Sequence, residues 1–165
     1  ISVGVRERLD VRAAIAHART LGAPVVYVGF SMGAVAYLLG DVEADVAVLD
    51  APYDTLDGAI EARTRRFRLG RQWTDAIARE GANVVGVEPA SVRPIDRVAR
   101  LTSPTLFLFA RGDAWIGPEV RARFAHVLPD RARIEHVAGS HRWHHHRDYR
   151  ARVVAFVERS LATIV

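Results

Sequence analysis

The segment Gly29-Phe30-Ser31-Met32-Gly33 carries the pattern Gly-x-Ser-x-Gly. A serine in this pattern becomes a nucleophile when a strand leads into it and a helix leads out, because the sharp turn strains its backbone and exposes the hydroxyl. Both flanks suit that geometry. Pro24-Val25-Val26-Tyr27-Val28-Gly29 is a continuous β-branched and aromatic run, too short for a helix, and it reads as a central parallel strand buried on both faces. Gly33 to Leu39 is small and apolar enough for a buried helix. The missing Cβ atoms of the two glycines would let strand and helix approach closely. At the start of that helix the backbone N–H of Met32, aided by the helix dipole, would favour a developing oxyanion. The chemistry these residues offer is acyl transfer through Ser31.

Two other clusters invite functional readings. His141-Arg142-Trp143-His144-His145-His146 suggests a metal, but catalytic zinc draws its ligands from spaced positions such as i, i+4 pairs on a helix. No His-Glu-x-x-His pattern is present. The run reads as a polar loop and helix start, and no metal or other cofactor is expected. Arg63, Arg65, Arg66, Arg68 and Arg71 are the densest basic stretch. No aromatic stacking platform or groove-reading motif accompanies them, so they read as a solvated helix face, without a nucleic-acid partner.

The elements that must position Ser31 alternate along the chain. Val5 to about Leu21 is an amphipathic helix with Leu9, Ala13, Ala16, Val11, Ile15 and Ala18 on its apolar side, stopped by Gly22. Asp45 to Leu49 is a second strand, and Leu56 to about Gly81 is two polar helices. Pro94, Pro104 and Gly112 divide the following stretch into a short helix, a strand at Thr105 to Ala110 and a loop. Pro118 starts a helix to about Val127, since proline suits a first turn. Arg133 to Val137 is the last strand. Tyr149, Val153, Phe156, Val157 and Leu161 recur with helical spacing and mark a closing amphipathic helix. This order predicts an α/β class with a parallel sheet covered by helices on both faces.

With these pieces in place, the sequence resembles the α/β-hydrolase superfamily over essentially all of its length. Beyond the elbow, Pro104 to Asp113 (PTLFLFARGD) resembles the family's penultimate strand and acid loop, and Val137-Ala138-Gly139-Ser140-His141 resembles the glycine-rich approach to its catalytic histidine. Val48-Leu49-Asp50-Ala51-Pro52-Tyr53 is similar to the turn after the nucleophile helix. The resemblance implies the chain order nucleophile, acid, histidine. Ser31 would attack an ester, thioester or related carbonyl, His141 would carry the proton, and a carboxylate would hold the imidazole. That carboxylate is Asp113 or Asp50. In the loop Gly112-Asp113-Ala114-Trp115-Ile116-Gly117-Pro118, Trp115 stands where the family usually has its acid, while some members carry the acid after the preceding strand, at the position of Asp50. Phe30, Tyr53, Trp115 and Trp143 lie at or just beyond strand ends, where the family lines its pocket, and would suit an apolar acyl or aryl group.

Composition sets the outer limits. The 165 residues are 50% hydrophobic and 25% charged, with net charge +4 and no cysteine. These values fit a single domain spanning residues 1–165, with a short helical insertion at about 56–93. No apolar run approaches the roughly 20 residues of a membrane helix. Absence of cysteine fits a reducing, cytoplasmic setting. The start at Ile1 has no initiator Met, and the resemblance implies a partial α/β-hydrolase fold, its C-terminal part, without the usual N-terminal strands and their oxyanion donor. Pro24 to Val28 should then form an exposed apolar sheet edge through which copies could pair. Two functions follow: a serine hydrolase taking a small-molecule acyl substrate, or a catalytically impaired hydrolase-like fragment or interaction module.

Overall fold

Four short apolar runs become four parallel strands ordered β1-β2-β3-β4: β1 (Val26–Phe30), β2 (Val46–Asp50), β3 (Thr105–Ala110) and β4 (Ala132–Val137). The structure is a computed structural model describing residues 2–164, so the reading placed on Ile1 lies outside the described residues. Parallel neighbours need crossovers. Helix α1 (Glu7–Arg19) precedes the sheet, and α2 (Met32–Gly40) connects β1 to β2. Helices α3 (Leu56–Arg66), α4 (Arg71–Val85) and α5 (Ile95–Val98) lie between β2 and β3, α6 (Pro118–His126) between β3 and β4, and α7 (Asp148–Leu161) closes the chain.

The sheet divides two apolar clusters. On one face, Ala47, Leu49, Phe107 and Phe109 pack with Ile15 of α1, Val35 of α2, Val98 of α5 and Phe124 of α6. Phe124 sits 5.3 Å from both the Phe107 and Phe109 rings, a tilted arrangement that adds to the roughly 1.5–3 kcal/mol gained by burying each one. On the other face, Val46, Val48, Leu106 and Leu108 meet α7 through Phe156, with Tyr149, Val153, Val157 and Leu161 packed around it. Those are the five residues whose spacing marks a helix.

Two expectations need correction. β1 is an edge strand in this sheet and is not buried on both faces: Val26 and Val28 are 37% and 48% exposed. They share the parity of Val46 and Val48, but among the described residues the α7-side cluster contains no β1 residue. The exposed edge foreseen at Pro24 to Val28 is therefore present, with pairing limited to β2. The second correction concerns α4, which is not simply polar. It has no buried residue, and Trp73, Ile77 and Val84 stand exposed along it.

Helix α1 begins later than periodicity suggests because Glu7 gathers the preceding turn. Its carboxylate accepts from Ser2 N and Ser2 Oγ, both at 2.7 Å, and from Gly4 N at 2.9 Å. Desolvation alone would raise this carboxyl, but the hydrogen bonds from Ser2 and Gly4 outweigh it and hold the group near about 2. Among the described residues no helix is long and apolar enough to cross a membrane.

Candidate active site

The serine turn follows from sheet register. Phe30, the last residue of β1, lies opposite Asp50, the last residue of β2, and the Ser31 N–H extends that pairing by donating to the Asp50 carbonyl at 2.7 Å. The Ser31 carbonyl accepts from Val35 N at 3.1 Å, so helix α2 starts at once. Joining strand to helix without an intervening loop forces Ser31 to φ 49°, ψ −110°. A non-glycine residue held there costs about 1–3 kcal/mol. The N–H of Met32, first in α2, has no acceptor within the fold among the described residues.

The two motif glycines do different work. A Cβ on Gly29 would lie 2.7 Å from Tyr27 Cε1 and 2.8 Å from Ala34 N, so the approach of strand to helix depends on its absence. At Gly33 the nearest atom would be Tyr27 Oη at 3.7 Å, an ordinary contact. The steric role expected of both glycines therefore belongs to Gly29. Gly29→Ala is expected to destabilise the fold by about 1–3 kcal/mol, as overpacking does, and Gly33→Ala by less; paired chemical denaturation curves would check the order.

Asp113 and His141 meet because β3 and β4 continue their pairing past the strand ends. Arg111 N donates to Val137 O at 2.8 Å and Gly112 N to Gly139 O at 2.9 Å, the latter residue turning at φ 125°. The acid loop then folds back on its own carboxylate. Asp113 Oδ1 accepts from Trp115 N at 2.7 Å and Ile116 N at 3.1 Å, while Oδ2 takes the Nδ1 proton of His141 at 2.7 Å. The Asp113 side chain is 1% exposed and that of His141 19%. With Nδ1 committed to the carboxylate, Nε2 is left as the accepting nitrogen. The His141 ring lies 5.0 Å from Phe30, the neighbour of Ser31. Among the described residues no hydrogen bond joins the Ser31 hydroxyl to His141.

Asp50 is also close by, but it is bonded differently. It is 2% exposed, and its buried Oδ2 has no hydrogen-bond partner. Burial, opposed by the His141 charge and reinforced by Asp113, pushes its carboxyl up to about 7. A folded-state value above the unfolded one means that the native protein binds the extra proton between about pH 4 and 7. Stability from this group is thus present at low pH and lost as pH rises through 7, by up to about 3–4 kcal/mol. Melting temperatures recorded from pH 5 to 8 should fall in wild type, and that dependence should flatten in Asp50→Asn.

The four aromatic pocket candidates part company. Tyr53 is buried among the α1-side residues, its hydroxyl donating to Val3 O, and Trp143 is buried against the α7 cluster. Both are therefore buried within the apolar clusters. Phe30 and Trp115 remain half-buried, Trp115 beneath the Arg63 guanidinium at 5.3 Å and 6.3 Å from Phe67. A cleft of about 450 Å³ runs between α3 and the acid loop, bordered by Arg65, Arg66, Trp115 and Arg123, and another of about 560 Å³ lies between α3 and α4. Neither is lined by Ser31 or His141. Arg63 escaped notice as a partner of Trp115 because the two are far apart in sequence.

The histidine run disperses over its neighbours. His144 packs 4.0 Å from Phe30, His145 4.2 Å from His144, and His146 stacks on Trp143 at 5.9 Å. Among the described residues no group of three or more His, Asp or Glu side chains is arranged to hold a metal ion.

No protein-family model and no curated protein matches the sequence. Solved structures do match its shape. An esterase of Pyrococcus furiosus superposes with a TM-score of 0.72 at 21% identity, covering 96% of this chain and 64% of its own. A thermophilic esterase of Thermogutta terrifontis, solved with butyrate bound, gives 0.66 at 16% identity over 98% of this chain and 65% of its own. The acylaminoacyl peptidase of Pyrococcus horikoshii gives 0.64 at 14%, covering 93% of this chain and 26% of its own. The chain thus spans less than two thirds of the length of these enzymes. Within that span it shares their parallel sheet and helical layers, and its fold is the α/β-hydrolase fold.

Proposed function

We propose that this protein is a serine hydrolase cleaving an ester, thioester or related acyl bond of a small molecule. The observation that carries this reading is the pairing of Asp113 with His141 Nδ1 beside a serine at φ 49°. Ser31 Oγ adds to the carbonyl carbon as its proton passes to His141 Nε2, and the resulting imidazolium is stabilised by Asp113. The N–H of Met32 donates to the oxyanion. Collapse of the tetrahedral adduct expels the leaving group, which takes the proton from His141, and water then releases the acyl group by the same steps. No cofactor enters. Asp113 is preferred to Asp50 as the third member because it alone holds a hydrogen bond to the histidine. The histidine and serine close to bonding distance in the substrate complex, as catalytic hydrogen bonds that are long in free enzymes commonly do.

A fluorophosphonate probe tests this directly. Attack by Ser31 Oγ on phosphorus displaces fluoride and leaves a stable adduct, and peptide mass mapping should find it on Ser31. A folded protein that stays unlabelled would remove the reading.

The exposed β1 edge favours the second function, an interaction module. Val26 and Val28 sit beside unpaired backbone groups, the arrangement that recruits another strand. Under this reading the protein self-associates with rising concentration, and Val28→Lys, placing a charge on the edge, returns it to monomer in light scattering.

A further inference from the structure

Asp50 is built into the site more deeply than the hydrolase reading requires. Its carbonyl holds the Ser31 N–H, and by strand alternation its side chain lies on the face of β2 that carries Val46 and Val48. The titratable groups around it come from every neighbouring element. Asp113 approaches from the acid loop, His141 from the loop after β4, and Tyr149 from α7. β1 contributes only the apolar Phe30, on which His144 rests with its own buried Nδ1 unpartnered. A carboxyl at this position has two consequences. Its Oδ2 gains no donor, so it cannot replace Asp113 in orienting the imidazole. Yet it lies opposite Phe30 in the sheet register, and the Phe30 ring is 5.0 Å from the imidazole, so its charge faces the histidine from the neighbouring strand end, and a nearby opposite charge favours the ionised form.

We propose that Asp50 is a positioning residue for His141, a second carboxyl whose charge adds to that of Asp113 in stabilising the imidazolium formed when Ser31 gives up its proton. The charge is set by the medium. In acid the carboxyl is neutral and contributes little; as pH rises it releases its proton to solvent, and a second negative charge then faces the histidine. A cation on His141 in turn favours the ionised form of Asp50. This inference rests on the hydrolase reading only for its kinetic consequence; the electrostatic coupling exists whether or not the protein turns over a substrate.

Asp50→Asn keeps the shape and removes the charge, and Asp50→Ala removes it independently should the amide disturb packing. Two readouts are needed. In the first, proton NMR follows the His141 imidazole through a pH titration, its signals identified by their loss in His141→Gln. Removing Asp50's charge should move the midpoint down by about one pH unit. In the second, kcat/KM for a chromogenic ester is measured against pH. Wild type and variants should all gain activity as His141 loses its proton, but in the variants the rise should lie at lower pH and end on a plateau about 3–10-fold lower. Superimposable titrations and profiles in wild type and both variants would overturn the proposal. So would a loss as large as that of Asp113→Asn, since Asp50 would then be the histidine's principal partner. Absence of both turnover and probe labelling, with the NMR difference intact, would refute the hydrolase reading and leave the coupling standing.

Discussion

Ser31→Ala is expected to lower ester turnover by at least about four orders of magnitude and to abolish fluorophosphonate labelling. The strain at this position makes the result more informative than activity alone. Alanine at φ 49° is strained as serine is, so Ser31→Ala should melt close to wild type. Glycine adopts that conformation freely, and Ser31→Gly should gain up to about 1 kcal/mol after its greater unfolded-state entropy is set against the relief. An inactive variant more stable than wild type is the signature of a residue kept for chemistry at the expense of the fold. If Ser31→Gly proves destabilised instead, the elbow is not storing strain. The two variants should therefore be compared by turnover on a short-chain p-nitrophenyl ester and by thermal melting.

Asp113→Asn should reduce kcat by about three to four orders of magnitude while sparing most of the stability. The direction follows from how the loop grips this side chain. Asp113 Oδ1 receives two backbone N–H groups, from Trp115 and Ile116, and an asparagine will keep its carbonyl oxygen there. Its NH₂ group must then occupy the place of Oδ2, facing His141 Nδ1. A donor now meets the nitrogen that was donating, so the imidazole moves its proton to Nε2 and can no longer accept from Ser31. The imidazolium also loses the negative charge beside it. Asp50→Asn, by contrast, leaves the tautomer untouched and costs about tenfold at most. Measuring kcat for both variants on the same ester ranks the two carboxyls, and a larger loss at Asp50 would reverse the assignment proposed here.

Much of the scaffold was legible because its signals are local. Leu106 to Ala110 and Val46 to Leu49 are apolar without interruption, and both lie in central strands buried on each face. The spacing of Tyr149, Val153, Phe156, Val157 and Leu161 described the covering helix in advance. Pro24 to Val28 has the same composition as the central strands yet lies at the edge. An apolar run records what a strand can tolerate on its faces, and the number of its neighbours is decided elsewhere. For the same reason Tyr53 and Trp143 were legible as aromatic residues near strand ends but not as core: whether a ring at a loop faces inward depends on helices that arrive from other parts of the chain.

The acid loop shows this limit most clearly. Comparing spacing alone, Trp115 occupies the place of the acid, and Asp113 and Asp50 remain rivals. Folding separates them through hydrogen bonds that no pattern encodes. The loop curls so that Asp113 caps the amides of Trp115 and Ile116 and still reaches His141, whereas Asp50, with no donor at its buried oxygen, becomes a weak acid. By itself, then, the sequence determined the order of elements, the elbow at Ser31 and the short roster of groups able to act with it, because strand, helix and turn preferences are written in neighbouring residues. Only the tertiary structure decided which carboxyl takes the histidine, which aromatic rings are buried, and which strand lies at the edge. Those outcomes turn on distances and burial between segments far apart in the chain, and a charge or a hydrogen bond has no value until both of its partners are in place.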